Sequence, residues 1–163
     1  MDTGMFLTRA TAMVAFVLYV LAFVPRFKRP WSRVRWSAGA VVFLAHVICA
    51  FHFVHHWSHA DAYASTAKQT YELAGLDWGG GVYFNYVFTA LWVVDAVWWW
   101  VSPVSHEKRH RLILYALHGF MAFMWFNGTV VFGREATRWV GVAGFAVVGM
   151  SLLASRISKR SIS

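Results

Sequence analysis

The chain has 163 residues, of which 59% are hydrophobic and 13% are charged. Soluble domains average nearer half apolar and a quarter charged, so this composition argues against an ordinary soluble domain. The length suits a single domain over residues 1–163. The net charge of +8 does not indicate nucleic-acid binding, because the basic residues cluster in short connections between apolar runs and not on one soluble face.

Five apolar runs approach the roughly 20 residues that a helix needs to cross a bilayer. In chain order they cover residues 5–24, 36–57, 81–101, 112–132 and 139–153. The last run is short, and it needs helix tilt or local thinning of the bilayer to cross. Backbone groups in lipid must be satisfied within each span, so the sequence predicts an all-α integral membrane protein with a bundle of about five transmembrane helices.

Basic residues mark the connections on one side of this predicted bundle. They are Arg26, Lys28, Arg29, Arg33, Arg35, Lys108, Arg109, Arg111, Arg156, Lys159 and Arg160. The positive-inside rule then places the N-terminus outside and the C-terminus in the cytoplasm, in a plasma or inner membrane. The lipid bilayer is the first expected partner. Because five short spans leave little room for a large cavity, partner membrane subunits or a homo-oligomer are expected as well.

The connection between the second and third predicted spans, residues 58–80, is polar. Asp61 is predicted to cap a short helix that runs to about Leu73, and Gly75 is predicted to end it. The polar character of this segment predicts that its helix lies on the outer membrane surface.

Four of the eight histidines fall at the outer end of the second span, in the sequence FHFVHHWSH. On a continuous helix, with about 100° per residue, His52, His55, His56 and His59 share an arc of about 100°, and Cys49 lies one turn deeper on its flank. Neutral imidazole binds zinc, copper and iron, so the spacing predicts an outward-facing transition-metal site. The alternative interpretation is an interfacial helix end that is rich in imidazole and binds nothing.

The box His52-x-x-His55-His56 resembles, over five residues, a histidine box of the membrane di-iron hydroxylases and desaturases. That family distributes several such boxes, mostly on the cytoplasmic side. Here the other close pair, His106 and His110, is predicted on the opposite membrane face, about 30 Å away, which excludes a shared di-iron site. The connection around that pair is expected to be a solvated loop, and it contains His106, Glu107, Lys108, Arg109 and His110.

Three ionisable residues lie well inside the predicted spans: His46, Asp95 and His118. Such residues are costly in lipid and are therefore candidates for function. Counted at about 1.5 Å per residue, all three are expected roughly 9 to 15 Å from the inner surface, in one layer. The similarity of HVICAFH, which begins at His46, to HGFMAFM, which begins at His118, indicates an old duplication or a shared site.

Two histidines at equal depth on neighbouring helices are typical of a haem b held by two axial imidazoles, here His46 and His118. The first hypothesis is therefore a membrane redox protein that binds haem b or a transition metal (copper, iron or zinc), alone or as the anchor of a larger electron-transfer complex. The second is a metal or proton transport protein, in which the outer histidines take up the ion and Asp95 relays it with the deep histidines. The third is a structural subunit without a cofactor, in which an Asp95–histidine hydrogen bond joins helices.

Overall fold

The computed structural model describes residues 3–23 and 29–160, with side chains in 3–23 and 31–154. All regular elements in these ranges are helices: α1 (Thr3–Ala22), α2 (Arg29–Phe53), α3 (His59–Ala74), α4 (Gly81–Val101), α5 (Pro103–Glu107), α6 (Arg111–Phe126), a π-helical turn (Asn127–Val131) and α7 (Glu135–Arg160). The predicted all-α fold is confirmed. Val24, Arg26 and Lys28, which the predicted first span and orientation include, lie outside the described residues.

Four of the described helical stretches are long and apolar enough to cross a membrane: Thr3–Ala22, Trp31–Phe53, Arg111–Val131 and Glu135–Ala154. The sequence predicted about five transmembrane helices. The predicted third span forms α4 with the predicted bounds, and it is not among these four stretches. The last apolar run was expected to be short, whereas α7 begins ahead of it and extends past it, and the stretch Glu135–Ala154 has 20 residues.

The short helix predicted in the polar connection is present as α3. Ser58 caps it, with its hydroxyl accepting a hydrogen bond from the Asp61 N–H at 3.1 Å. The predicted cap, Asp61, lies instead in the first turn, where a carboxylate interacts favourably with the helix N-terminus. Gly75 ends the helix as predicted, with φ of 70° and its N–H bonded to the Tyr71 carbonyl. Glycine adopts this left-handed conformation without steric cost.

The centre of the bundle is built from aromatic rings contributed by α1, α2, α4 and α6. The buried rings are Phe16, Tyr19, Trp36, Phe43, Phe88, Trp92 and Trp125. The Phe43 and Phe88 ring centroids are 4.8 Å apart, and those of Trp36 and Trp92 are 5.4 Å apart. Pairs at such separations contribute about 0.5–1.5 kcal/mol beyond their burial, so the core holds four helices together through ring contacts.

A close approach of α2 to α4 depends on Gly39. A Cβ atom at this position would lie 2.6 Å from Cζ2 of Trp92, whose side chain is fully buried. We therefore expect Gly39→Ala to lower the free energy of unfolding by about 1–3 kcal/mol. Gly149→Ala on α7 is the matched control: its Cβ meets nothing within 4 Å, and alanine favours a helix interior by up to about 1 kcal/mol. Denaturant titration in detergent measures both, and equal effects would contradict the close packing at Gly39.

Candidate functional site

A buried polar cluster joins α4, α5 and α6 around the carboxylate of Asp95, which is 5% exposed. Arg109 donates to Oδ1 of Asp95 from Nη1 at 3.0 Å, and His106 donates to the same oxygen from Nε2 at 3.2 Å. Arg109 also lies against His106, and its Nη2 is 3.5 Å from Nε2 of His118. One guanidinium therefore links the carboxylate of α4 to the imidazole of α6. We call these four residues the Asp95 cluster.

The short helix α5 folds the chain back onto α4 and brings His106 to Asp95. Pro103 starts α5, a position where the missing N–H of proline has no intrahelical partner to lose. The His106 ring then stacks on Trp99, with centroids 4.7 Å apart and planes 12° apart, and meets Trp98 edge-on at 5.4 Å. These contacts leave His106 4% exposed and hold its Nε2 within reach of the carboxylate.

The expectation of a solvated loop around His106 and Arg109 is wrong, because both side chains are buried in the Asp95 cluster. A carboxylate in an apolar helix needs a partner, since an unpaired buried charge is very costly. The nearest cationic side chains along the chain are in the connection that follows α4. The need of a buried carboxylate for a partner was therefore the sequence signal that could have predicted the pairing of His106 and Arg109 with Asp95.

Stability alone does not explain an ion pair at this place. The Asp95 and Arg109 side chains are 6% and 9% exposed. Desolvating each charge costs several kcal/mol, and well-packed apolar replacements of such pairs are often as stable or more stable. Ionisable groups held in apolar surroundings are therefore candidates for function.

Burial lowers the pKa of His106 below its ordinary value, and the Asp95 carboxylate only partly opposes this effect. The charged groups nearest to the ring are Asp95, Arg109 and Glu107. A histidine with a lowered pKa binds fewer protons in the folded state than in the unfolded state. Its contribution to stability is therefore complete above about pH 6.5 and is lost as the pH falls through the folded pKa.

We expect His106→Gln to flatten this pH dependence. Between about pH 7 and pH 5 the melting temperature of the unmodified protein should fall more steeply than that of the variant, because glutamine takes up no proton on unfolding. Thermal unfolding in detergent across this range measures the two slopes. Identical slopes would show that His106 is not buried in its neutral form.

The structure brings His118 to Arg109 and does not bring it to His46. His118 lies at the level of Trp36, with ring centroids 5.4 Å apart. His46 lies ten residues further along α2, about 15 Å along the helix axis. The common depth predicted for the two histidines is wrong, because α2 begins at Arg29 and not at Trp36. Their role as haem ligands stays a prediction.

His46 has its own partner near the other end of the bundle. Its Nδ1 is 2.8 Å from the backbone carbonyl of Thr8 on α1. A carbonyl only accepts, so this contact places the proton of the neutral ring on Nδ1 and leaves the lone pair on Nε2.

The predicted arc of four histidines is not formed, because α2 ends at Phe53. His56 and Trp57 have φ of 50° and 60°, and the Trp57 N–H bonds back to the Phe51 carbonyl at 2.9 Å. Left-handed residues stop a helix, and so His55 and His56 lie in a turn between helices. A run of residues without glycine or proline gives little sequence signal for such a stop.

His59 lies apart from the other three histidines of the predicted site, as the first residue of α3. Its Nδ1 is 2.9 Å from the hydroxyl of Tyr86, and its Nε2 is 3.3 Å from the hydroxyl of Tyr83, both on α4. Among residues 3–23 and 29–160, no three His, Cys, Asp or Glu side chains are grouped so that they could hold a metal ion. Metal binding by His52, His55, His56, His59 and Cys49 stays a prediction.

The turn after α2 supplies a test of its geometry. A left-handed conformation costs an ordinary residue about 1–2 kcal/mol, whereas glycine adopts it freely. We expect His56→Gly to raise the free energy of unfolding by up to about 1 kcal/mol. His52→Gly, inside α2, should lower it by about 1 kcal/mol. Urea titration measures the free energy of unfolding of both variants. A loss of stability in both would contradict the left-handed conformation of His56.

No protein-family model, curated protein or solved structure matches this chain. A fold by itself does not assign a function, and a bundle of helices supports many. The function therefore has to be inferred from the chemistry of the Asp95 cluster and of His46.

Proposed function

We propose that the protein is an integral membrane protein, with its N-terminus outside and α5 at the cytoplasmic end of the bundle. Four apolar helices of sufficient length support this proposal. Large apolar side chains on the outside of the bundle also support it, among them Val41, Val101 and Trp139, at 65%, 78% and 72% exposed. Basic residues at the α5 end favour the orientation. We propose α4 as a fifth span, since its Asp95 faces the interior of the bundle and not its surface.

We propose further that this protein carries protons across the membrane through the Asp95 cluster. The observation that supports this role is the buried connection from Asp95 through Arg109 to His118. An arginine stays protonated, so Arg109 does not pass a proton itself. It instead offers an N–H to the lone pair of His118 while it pairs with Asp95.

Proton binding would change this arrangement through charge alone. A proton on His118 places two cations side by side in a medium of low polarity, where like charges repel strongly. Arg109 is then displaced from His118, while Asp95 still holds it. Uptake of a proton is thereby coupled to movement of a charged side chain, which is the kind of two-state element that a transporter needs. Exposed polar residues beside the cluster, Glu107 and His110, connect it to the cytoplasmic solution.

Proton flux into liposomes tests this function. The purified protein is reconstituted with a trapped pH-sensitive dye, and a potassium gradient with valinomycin supplies the driving potential. We expect flux above that of protein-free liposomes, and we expect Asp95→Asn to reduce it to near that background, because the amide keeps the shape and loses the charge. Asp77→Asn, at an exposed position, is the matched control and should leave the flux unchanged. A flux absent from the unmodified protein would overturn the proposal.

A redox function is the second candidate, and the geometry of His46 favours it. Metal-bound histidines commonly donate their other ring N–H to a carbonyl, as His46 does to Thr8. The free Nε2 lone pair would then bind haem b or a transition metal, for an electron-transfer protein that works alone or as an anchor. The purified protein should show a Soret band or stoichiometric iron or copper, which His46→Ala removes. A colourless protein without metal would end this candidate, and failure of both tests would favour a structural subunit.

A further inference from the structure

A cavity of about 550 Å³ opens between α1 and the start of α7. It is lined by Arg9 of α1 and by residues 133–138, which lead into α7 and include Arg134 and Arg138. Three guanidinium groups from two distant parts of the chain therefore border one space, which we call the arginine cavity. It shares no residue with the Asp95 cluster, and neither candidate function uses it.

The packing of α1 against α7 brings these arginines to one level. Gly144 of α7 lies against Phe16 of α1, since a Cβ atom at Gly144 would be 2.6 Å from Cζ of Phe16. Arg9 precedes Phe16 by about 10 Å along α1, and Arg138 precedes Gly144 by about 9 Å along α7. Both helices begin at the same end of the bundle, because both line the arginine cavity. Helix packing therefore gathers charges that are far apart in the sequence.

The turn before α7 holds its two arginines in place. Gly133 is buried, and a Cβ atom there would collide with the Thr129 carbonyl oxygen, so the turn is tightly folded. The Arg134 carbonyl accepts the Arg138 N–H at 3.1 Å, which places the two side chains one helical turn apart on the same face. Nε of Arg138 donates to the Val130 carbonyl at 3.0 Å. This bond orients the guanidinium and uses only one of its N–H groups.

The charge of the arginine cavity favours an anionic ligand. Its one lining carboxylate, Glu135, lies in the first turn of α7, where it interacts favourably with the helix N-terminus. Among the side chains that the structure describes, no carboxylate forms an ion pair with Arg9, Arg134 or Arg138. Like charges gathered at one place repel one another, and an anion between them replaces that repulsion with attraction.

The side of the membrane strengthens this argument, which here depends on the orientation proposed above. In that orientation most of the 15 Lys and Arg residues lie at the cytoplasmic end. The outer side keeps Arg9, Lys68, Arg134 and Arg138. Positive charge is depleted on the outer side of membrane proteins, yet three of these four residues border one cavity. A scattered remainder of surface charge would not converge in this way, whereas an anion-binding site would.

Phosphate fits three arginines better than a carboxylate does. A guanidinium presents a planar fork of N–H donors that matches a pair of phosphate oxygens, and the further oxygens of a phosphate group can meet a second arginine. A carboxylate offers two oxygens, which one bidentate arginine already engages. The cations that line the cavity are all arginine, with no lysine among them. The composition of the site therefore favours a phosphate group.

We propose that the arginine cavity binds a phosphate group on the outer side of the membrane. Arg9 binds it from α1, and Arg134 and Arg138 bind it from the start of α7, so the ligand joins the two helices at this end of the bundle. The phosphate is presented either by the headgroup of an anionic lipid in the outer leaflet or by a phosphate-bearing solute outside. The recognition chemistry is the same for both sources, and it does not depend on proton transport.

Two binding measurements on the purified protein in a neutral detergent test the proposal. In the first, calorimetry follows the addition of inorganic phosphate at constant ionic strength. In the second, native mass spectrometry counts the lipids that the protein retains from an equal mixture of phosphatidylglycerol and phosphatidylcholine. We expect saturable binding of one phosphate or one phosphatidylglycerol per chain.

Substitutions then assign the binding to the arginine cavity. Arg9→Gln should weaken the affinity about tenfold, because it removes charge-assisted hydrogen bonds to the phosphate. Arg9 is exposed, so its replacement leaves the core intact. Lys68→Gln is the matched control. Lys68 is also exposed and lies on the same proposed side of the membrane, but it does not line the arginine cavity. The control removes the same charge and should leave the affinity unchanged.

The outcomes separate the two sources and decide the proposal. Saturable binding of inorganic phosphate supports the site and identifies a solute, whereas retention of phosphatidylglycerol alone supports the site and identifies a lipid headgroup. Absence of both overturns the proposal, and so does unchanged affinity in Arg9→Gln. An equal loss in Lys68→Gln would show a response to net charge only, and equal retention of phosphatidylcholine would show that the anionic charge is not recognised; each overturns it. Because neither measurement uses a gradient, their failure and a failure of proton flux are independent results.

Discussion

Asp95→Leu is expected to lower the free energy of unfolding by about 3–5 kcal/mol, because it leaves the guanidinium of Arg109 buried without its carboxylate. The Arg109 side chain is 9% exposed and lies among His106, Asp95 and His118. Its ion pair among the described residues is with Asp95, at 3.0 Å. Arg109→Leu should cost a similar amount, since it strands the carboxylate of Asp95 in the same way.

The double variant Asp95→Leu, Arg109→Leu should recover most of this loss. Two leucines remove both charges together, and apolar replacements of buried ion pairs are commonly neutral or stabilising. The two single variants and the double variant form a mutant cycle that isolates the coupling between the charges. Guanidinium titration in detergent supplies the free energies. Additive losses in the double variant would show that the two side chains do not pair.

The same double variant separates stability from function. If the Asp95 cluster carries protons, a protein that is as stable as the unmodified one should still lose its proton flux. A stable double variant with full flux would assign the cluster a structural role and remove it from the transport proposal. This comparison is sharper than any single substitution, since single substitutions change folding and chemistry together.

Trp92→Ala is the second substitution with a large expected effect, a loss of about 3–5 kcal/mol in the free energy of unfolding. The Trp92 side chain is fully buried. Its ring packs against five others in the core: Tyr19, Trp36, Phe43, Phe88 and Trp125. Removing the indole leaves a cavity that these rings fill only in part, because they are contributed by four different helices.

Trp139→Ala is the matched control for this prediction. Trp139 is 72% exposed on α7, so its removal creates no cavity, and we expect a change within about 0.5 kcal/mol. Trp92→Phe should fall between the two, since the smaller ring retains part of the packing. Unfolding in denaturant, followed by circular dichroism, measures all three. A small effect of Trp92→Ala would mean that the aromatic core is not closely packed.

Local chemistry in the sequence determined most of the helices. The apolar run at residues 81–101 coincides with α4, and Gly75 ends α3 where a left-handed residue is needed. Asn127 and Gly128 begin a π-helical turn directly after α6. Hydrophobicity, helix caps and glycine act within a few residues along the chain, and so they can be read without knowledge of the packing.

Tertiary structure decided the site. The sequence placed Asp95 and His118 among the functional candidates, but only the packing of α5 against α4 buried His106 and Arg109 beside them. The level of His118 against Trp36 is likewise a contact between helices, and the end of α2 at Phe53 lies beside the left-handed residues His56 and Trp57, which the sequence did not signal. Electrostatic pairing and ring packing join residues that are distant along the chain, and their energies depend on distances that no local pattern contains.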